Sequence, residues 1–578
     1  MKTAPNAHRD EGGFVLPWLA LMLIVLVAMA GFGVDVWNWW YSAQKVQRAA
    51  DAGALAGVPL MPDLNAATAK AQQLVVQNGF SNATAAQGAK QNQLVVTVST
   101  NVSNYFTSLL GVSTTKISRS ATAEYNAPIQ MGSPVGHLGN DPENGATDQH
   151  WLNIGAPGVD KQTGDRFADY ANCNTVSAYQ CPSGTNLEYL DGTYVYTVDI
   201  PTVPSGGVDI QAYDPEYADG NANAQCDNQW LSGAQLTTLQ NQNGGATYPD
   251  ATTRYAGGRT NYCPGDDNTN LGSTAQATAW LVRDSSVSQF QALQNPVVST
   301  GGPSASGTGP CAHQFKGYVP NSGTYWFDLL DTTNANGQYD SDFAKAFHRY
   351  YTLCHVTTPG RYFIQVRASV PFSAAQQNNP TYLSKSETPP EDTSIGGQNR
   401  YSVRVANTGT NTVTPGSAAY AVTRLPVYTN TTGSFTPSFY LARMLPGGGT
   451  AGRILVLEFY DIGDVSGGTT TLTVQPPAGS SATCSQWTFN GNNANPPPSG
   501  STISGCSMSG ITPNNYPNGN NGVLVDVRIQ VPGSYTCNVS DPNACWFKIQ
   551  MSYTNGTQAN DTTTWGASIG GDPVRLVK

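Results

Sequence analysis

The sequence predicts an N-terminal transmembrane helix with a small α/β unit behind it, followed by an all-β remainder of two homologous β-sandwich or jelly-roll-like modules stapled by disulfides. The prediction rests on three features. Residues 14–34 carry no charge, and a helix of that length spans about 30 Å, the thickness of a bilayer's hydrocarbon core. Beyond Trp151, short apolar alternations recur between Gly, Pro and Asn turns, the mark of many short strands. All ten cysteines follow the apolar stretch, as expected for disulfides in an oxidising compartment.

Composition narrows the function classes. Charged residues make up 11% of the 578, against roughly 25% in an average soluble protein. The net charge of −10 argues against nucleic acid, which needs basic patches. Lys2 and Arg9 flank one end of the apolar stretch, and Lys45 and Arg48 the other, so the positive-inside count is tied. The cysteines break the tie: residues 1–13 are expected in the cytoplasm, 14–34 in the membrane, and the bulk outside. Ala28-Met29-Ala30 resembles a signal-peptidase site. Retention is favoured because the apolar run continues to Val34, Asp10 and Glu11 crowd the flank, and Trp37, Trp39, Trp40 and Tyr41 follow like an interfacial belt.

Residues 35–57 read DVWNWWYSAQKVQRAADAGALAG. A continuing helix would align Ala49, Gly53 and Gly57, with Ala50 and Ala54 beside them. Such a line of small residues lets another backbone approach closely: a partner helix, another copy, or the protein's own domain. Asp51 is placed to reach Arg48 or Gln47.

The apolar span, Asp35 just past it and the QRAADAGALAG run resemble the TadE/TadG-like proteins of bacterial Flp (tight-adherence) pilus systems. The residues carrying the resemblance are Asp35, Gln47, Ala49, Ala50, Asp51, Ala52, Leu55 and Gly57. It is strong over about residues 12–57 and weaker over 58–125. It implies a single-pass, outward-facing membrane component of pilus assembly, with other assembly proteins or copies of itself as partners, no enzyme activity and no cofactor. Prepilins are cut after a Gly that precedes Phe, with Glu five residues into the mature chain. Gly13-Phe14 is present, but Trp18 stands at the Glu position, so that processing is not expected.

Within 35–125, residues 66–76 suit a helix, 94–98 and 117–123 suit strands, and 105–110 suit a short helix stopped by Gly111. Residues 126–148 read as a linker. Strands are expected at 194–200, 208–213, 277–282, 362–368, 401–405, 454–460, 470–474, 523–529 and 547–553. Three segment pairs recur in order: VDIQAYDP (208–215) with VLEFYDIG (456–463), PGRYFIQV (359–366) with a split copy around 532–551, and SIGG before YSVRV with SIGG before VRLV. They define modules at 149–406 and 420–578, joined by 407–419. Sequential pairing of Cys173 with Cys181, Cys226 with Cys263, Cys311 with Cys354, Cys484 with Cys506, and Cys537 with Cys545 closes the shortest loops, although sequence alone does not fix connectivity.

Chemical motifs are sparse. Gly566-Ala567-Ser568-Ile569-Gly570 fits G-x-S-x-G, but a nucleophile elbow needs a strand-to-helix turn and a later His, and no His follows His355. Cys311, His313, Cys354 and His355 would make a poor zinc set, because neighbours on a strand face opposite ways. Asp284-Ser-Ser286-Val-Ser288 matches a von Willebrand A metal motif without the alternating helices of that fold. Asp331, Asp340 and Asp342 resemble a calcium loop in the wrong register for an EF-hand, which leaves a calcium site of another kind or a solvated acidic turn. The sequence therefore predicts no catalytic, cofactor or metal site. A surface adhesin or glycan-binding protein using the same anchor is the alternative.

Overall fold

In the computed structural model the apolar stretch and the segment behind it form one continuous helix, α1 (Gly12–Gly57), of 46 residues. The structure describes residues 12–577 apart from 171–178, 214–264, 268–276, 285–310, 326–348, 370–396 and some shorter segments. The sequence divides into two units, 1–127 with 571–578, and 128–570.

In the first unit α1 is followed by α2 (Leu64–Gln77), β1 (Ala83–Gln87), β2 (Gln93–Ser103) and β3 (Thr114–Tyr125). The strands form an antiparallel sheet completed by Val574–Leu576, which pairs with β3. Residues 574–576 therefore do not extend the second β module. Period-two alternation puts Leu94, Val96 and Val98 on the face that meets the helices. There they bury with Val46, Ala50 and Ala54 of α1, Ala67, Ala71 and Val75 of α2, and Ala121 and Ala123 of β3. The small residues on α1 and β3 let helix and sheet approach closely.

The second unit is all β. Its first half carries β4 (Gln130–Met131), β5 (His137–Leu138), β6 (Trp151–Gly155), β7 (Tyr194–Ile200), β8 (Val208–Tyr213), β9 (Gly265–Asp267), β10 (Ala277–Asp284), β11 (Ala312–Phe315), β12 (Tyr318–Val319), β13 (Thr324–Tyr325), β14 (Tyr350–Val356), β15 (Gly360–Ser369) and β16 (Gln398–Asn407). The second half carries β17 (Ala418–Val422), β18 (Arg424–Thr432), β19 (Ser438–Arg443), β20 (Arg453–Tyr460), β21 (Val465–Ser466), β22 (Thr470–Gln475), β23 (Thr483–Phe489), β24 (Thr502–Ser504), β25 (Ser507–Ile511), β26 (Leu524–Val531), β27 (Trp546–Tyr553) and β28 (Gln558–Ile569). All nine strands expected in this region are present, within a few residues of the predicted ends.

One sheet runs β11-β10-β15-β7-β17-β4-β19-β27-β22-β25-β24, the other β14-β8-β16-β6-β18-β28-β20-β26-β23. Counted outward from the centre of each sheet, between β17 and β4 and between β6 and β18, the two halves correspond strand by strand, with β24 and β23 as one extra edge strand each. β8 corresponds to β20 and β15 to β27, as the repeated segments predict. The third repeat does not hold: the counterpart of β16, which pairs with β8, is β28, which pairs with β20, whereas the VRLV strand belongs to the first unit.

The two halves are also not separate bodies. β17 of the second half lies beside β7 of the first, and β4 of the first lies beside β19 of the second. The stretch read as a linker at 126–148 thus supplies β4 and β5, with Met131 and Leu138 fully buried. Gly132 and Gly139, at φ of 99° and 85°, make the turns that such short strands require. The segment 407–419 joins two halves of one sandwich. Arg166 adds a further tie, bridging Glu188 at 2.8 Å and Glu458 of β20 at 2.9 Å.

Three disulfides are described: Cys311–Cys354, Cys484–Cys506 and Cys537–Cys545, with Cα separations of 5.0, 5.2 and 5.5 Å. These pairings are sequential, as expected. Cys181 is also disulfide-bonded. Cys173, Cys226 and Cys263 lie outside the described residues.

Candidate functional site

The residues singled out in the sequence lie along α1. Asp35, at the end of the uncharged stretch, is fully buried. Its Oδ1 accepts the backbone N–H of Tyr105 at 2.7 Å. Its Oδ2 accepts the N–H groups of Phe106 and Thr107 at 3.0 and 2.7 Å and the Thr107 hydroxyl at 2.9 Å. These donors open the short 3-10 turn Thr107–Leu110, which ends at Gly111 with φ 89°. The carboxylate thus does from another helix what an N-cap residue does locally, with charge-assisted bonds.

Further contacts hold the same loop. Trp39 Nε1 donates to Asn104 Oδ1 at 2.7 Å, and Asn38 Nδ2 to the Ser103 carbonyl at 3.1 Å. A methyl group added at Gly31 would fall within the Phe106 ring. The β2–β3 loop is therefore clasped along α1 from Gly31 to Trp39. The sequence marked Asp35 but not its partners, which lie some seventy positions away; the uncharged, apolar tip of the hairpin was the available signal.

Further along, Gln47 Nε2 donates to Asp51 Oδ1 at 2.8 Å and to the Ser120 carbonyl at 3.4 Å, so Asp51 pairs with Gln47. Ala49 and Ala50 are fully buried, Ala52 and Leu55 half-buried. The small-residue line is filled by the protein's own domain. A Cβ on Gly53 would stand 2.8 Å from Val75 Cγ2, and one on Gly57 would stand 2.6 Å from both the Ala67 carbonyl oxygen and Leu94 Cδ2. Gly57→Ala is expected to destabilise the first unit by about 1–3 kcal/mol by overpacking, despite alanine's better helix propensity. Gly33→Ala, with nothing within 4 Å of its Cβ, is the control and carries no such penalty. Hydrogen exchange of the α2 amides in the full chain reads the difference.

Residues 12–72 match the family model for putative Flp pilus-assembly TadE/G-like proteins. The TadE/G-like region thus covers α1 and the first part of α2, including every α1 residue named above. No curated protein and no solved structure matches the chain.

Outside the TadE/G-like region the chemical motifs resolve into structure. Ser568 lies in β28 in register with Val456, not on a strand-to-helix turn. Cys311 and Cys354 are joined to each other, His313 Nε2 contacts the Leu353 carbonyl at 2.8 Å, and His355 Nδ1 contacts Asp209 at 2.8 Å. Among the described residues no group of three or more metal-ligating side chains converges. Asp331, Asp340, Asp342, Ser286 and Ser288 lie outside the described residues. A cleft of about 840 Å³ opens in the second unit, where residues 413–418 meet Pro134, Pro201, Pro359 and Arg443. Among the described residues no aromatic side chain lines it. Trp151, Trp280, Trp565 and Tyr401 of this unit are core residues.

Proposed function

We propose that this protein is a membrane-anchored, extracytoplasmic structural component of Tad/Flp-type pilus assembly in the bacterial envelope. The carrying observation is the family match over 12–72, which coincides with the one helix among the described residues long and apolar enough to cross a membrane. Leu16, Leu23, Ile24 and Leu26 are all more than 60% exposed, as lipid-facing residues of a spanning helix would be. The disulfides support an oxidising location for the β unit and, with it, a cytoplasmic N-terminus. Partners are other assembly proteins or copies of the chain. They meet α1 on its lipid-facing stretch, because the small-residue line is already occupied.

The decisive experiment replaces residues 128–570 with a short flexible linker, keeping both chain segments of the first unit. Loss of surface pili with the protein still present in the membrane is the expected result. Normal piliation with lost surface adherence would overturn it in favour of the adhesin.

A further inference from the structure

We infer that the tip of the β2–β3 hairpin, residues 105–112, is seated in the lipid leaflet on the side of the first unit, as a second membrane contact beside α1. The inference rests on reading α1 as a membrane anchor and adds to it where the folded unit sits on the bilayer.

Exposure is the first observation. Tyr105, Leu109, Leu110 and Val112 are 66, 79, 74 and 52% exposed, a cluster of apolar side chains on one short loop. No charged residue lies between Lys90 and Lys116.

Position is the second. Phe106 packs on Gly31, inside the uncharged stretch, and Asp35 grips residues 105–107. The tip therefore lies at the level where α1 leaves the apolar layer. Exposed Trp37 and Trp40 follow on the helix as an interfacial belt. The loop's apolar surface is continuous with a surface already assigned to lipid.

Backbone satisfaction is the third. Unpaired peptide groups keep loops out of hydrocarbon, yet here six of the eight N–H groups of residues 105–112 have partners. Asp35 takes the N–H groups of residues 105–107. Leu109, Gly111 and Val112 donate to the carbonyls of Phe106, Ser108 and Thr107, each at 3.1 Å. The Ser108 hydroxyl closes onto the Tyr105 carbonyl at 2.7 Å. A loop with most of its N–H donors tied and its leucines exposed is suited to lipid and poorly suited to water. Asp35 is then the residue that makes this entry possible, by neutralising the donors of a turn that water does not reach.

The test uses the full chain in bilayer nanodiscs, with a nitroxide carried by a non-natural keto residue so that the disulfides stay intact. The label is placed at position 110, at 23 within α1, or at 87 on β1. Collisional accessibility to oxygen and to a water-soluble nickel chelate is measured at each. The expected result is an oxygen-dominated ratio at 23 and 110 and a nickel-dominated ratio at 87. A lipid signature at 23 with an aqueous one at 110 overturns the inference and leaves the anchor standing. Shielding of 110 from both agents also overturns it, because the tip is then covered by protein. An aqueous signature at 23 overturns the anchor itself.

Discussion

Asp35→Ala is expected to release the β2–β3 loop from α1. The substitution removes the acceptor for three backbone N–H groups and one hydroxyl. Each donor left buried and unpaired costs about 1–3 kcal/mol. The remaining ties, from Trp39 to Asn104 and from Asn38 to Ser103, cannot offset that sum, so the turn opens to water instead. Asp35→Asn keeps one acceptor oxygen but turns an amide NH₂ toward N–H donors, and its loss is intermediate. The amides of residues 105–107 should exchange at least about 100-fold faster in the alanine variant, equivalent to about 3 kcal/mol of lost protection. The α2 amides should stay protected, since the seam of α1 with α2 and β2 does not involve Asp35. Unchanged exchange at 105–107 would mean that the carboxylate does not hold the turn.

The example shows what a sequence discloses and what it withholds. Asp35 was visible as the first charge after the apolar layer. Its role was not, because the groups it satisfies are backbone amides, which carry no residue identity. Gln47 and Asp51 were legible as a pair because helix geometry brings positions four apart together. The small-residue line was legible as a packing seam, but not whether α2 or another molecule fills it, since both would select the same Ala and Gly. In the β unit, alternation revealed strands such as Tyr194–Ile200 and Val208–Tyr213 with the right ends. β4 escaped notice because a two-residue strand has no period. That strand and β17 cross between the halves, and so the two repeats read as two domains although they form one sandwich. The third repeat misled because its first copy comes before β16 in the sequence, whereas Ser568 and Ile569 of the second copy are the last residues of β28.

The β unit should lose stability as pH rises from 6.5 to 8. Asp461, directly after β20, accepts the Gly522 N–H at 2.8 Å through Oδ1, while its buried Oδ2 has no hydrogen-bond partner. Burial, and then the charges of Asp464, Asp561 and Asp160, push its pKa well above the ordinary value. Burial and Asp464 push Asp561 up as well, against the Thr563 hydroxyl and the Asp464 backbone N–H. Burial pushes Asp464 to about 7. In the unfolded chain these carboxyls have already released their protons near pH 4. The native state therefore holds protons that the unfolded state does not, and each one costs about 1.4 kcal/mol of stability per pH unit. Buried His150, held down to about 3 by burial and then by His137, acts in the opposite sense, because the unfolded imidazole is still partly protonated near pH 6.5. That gain is complete by about pH 7.5, and the aspartates alone set the slope above it. Thermal unfolding of the full chain in chelator-containing buffer should fall across this window. Asp464→Asn removes one of the mutually repelling charges, so the variant should be the more stable protein at pH 8 and show a shallower slope. A melting temperature that stays level or climbs between pH 6.5 and 8 would mean that the three aspartates are ionised in the native fold, with a compensating partner that their shared burial does not provide.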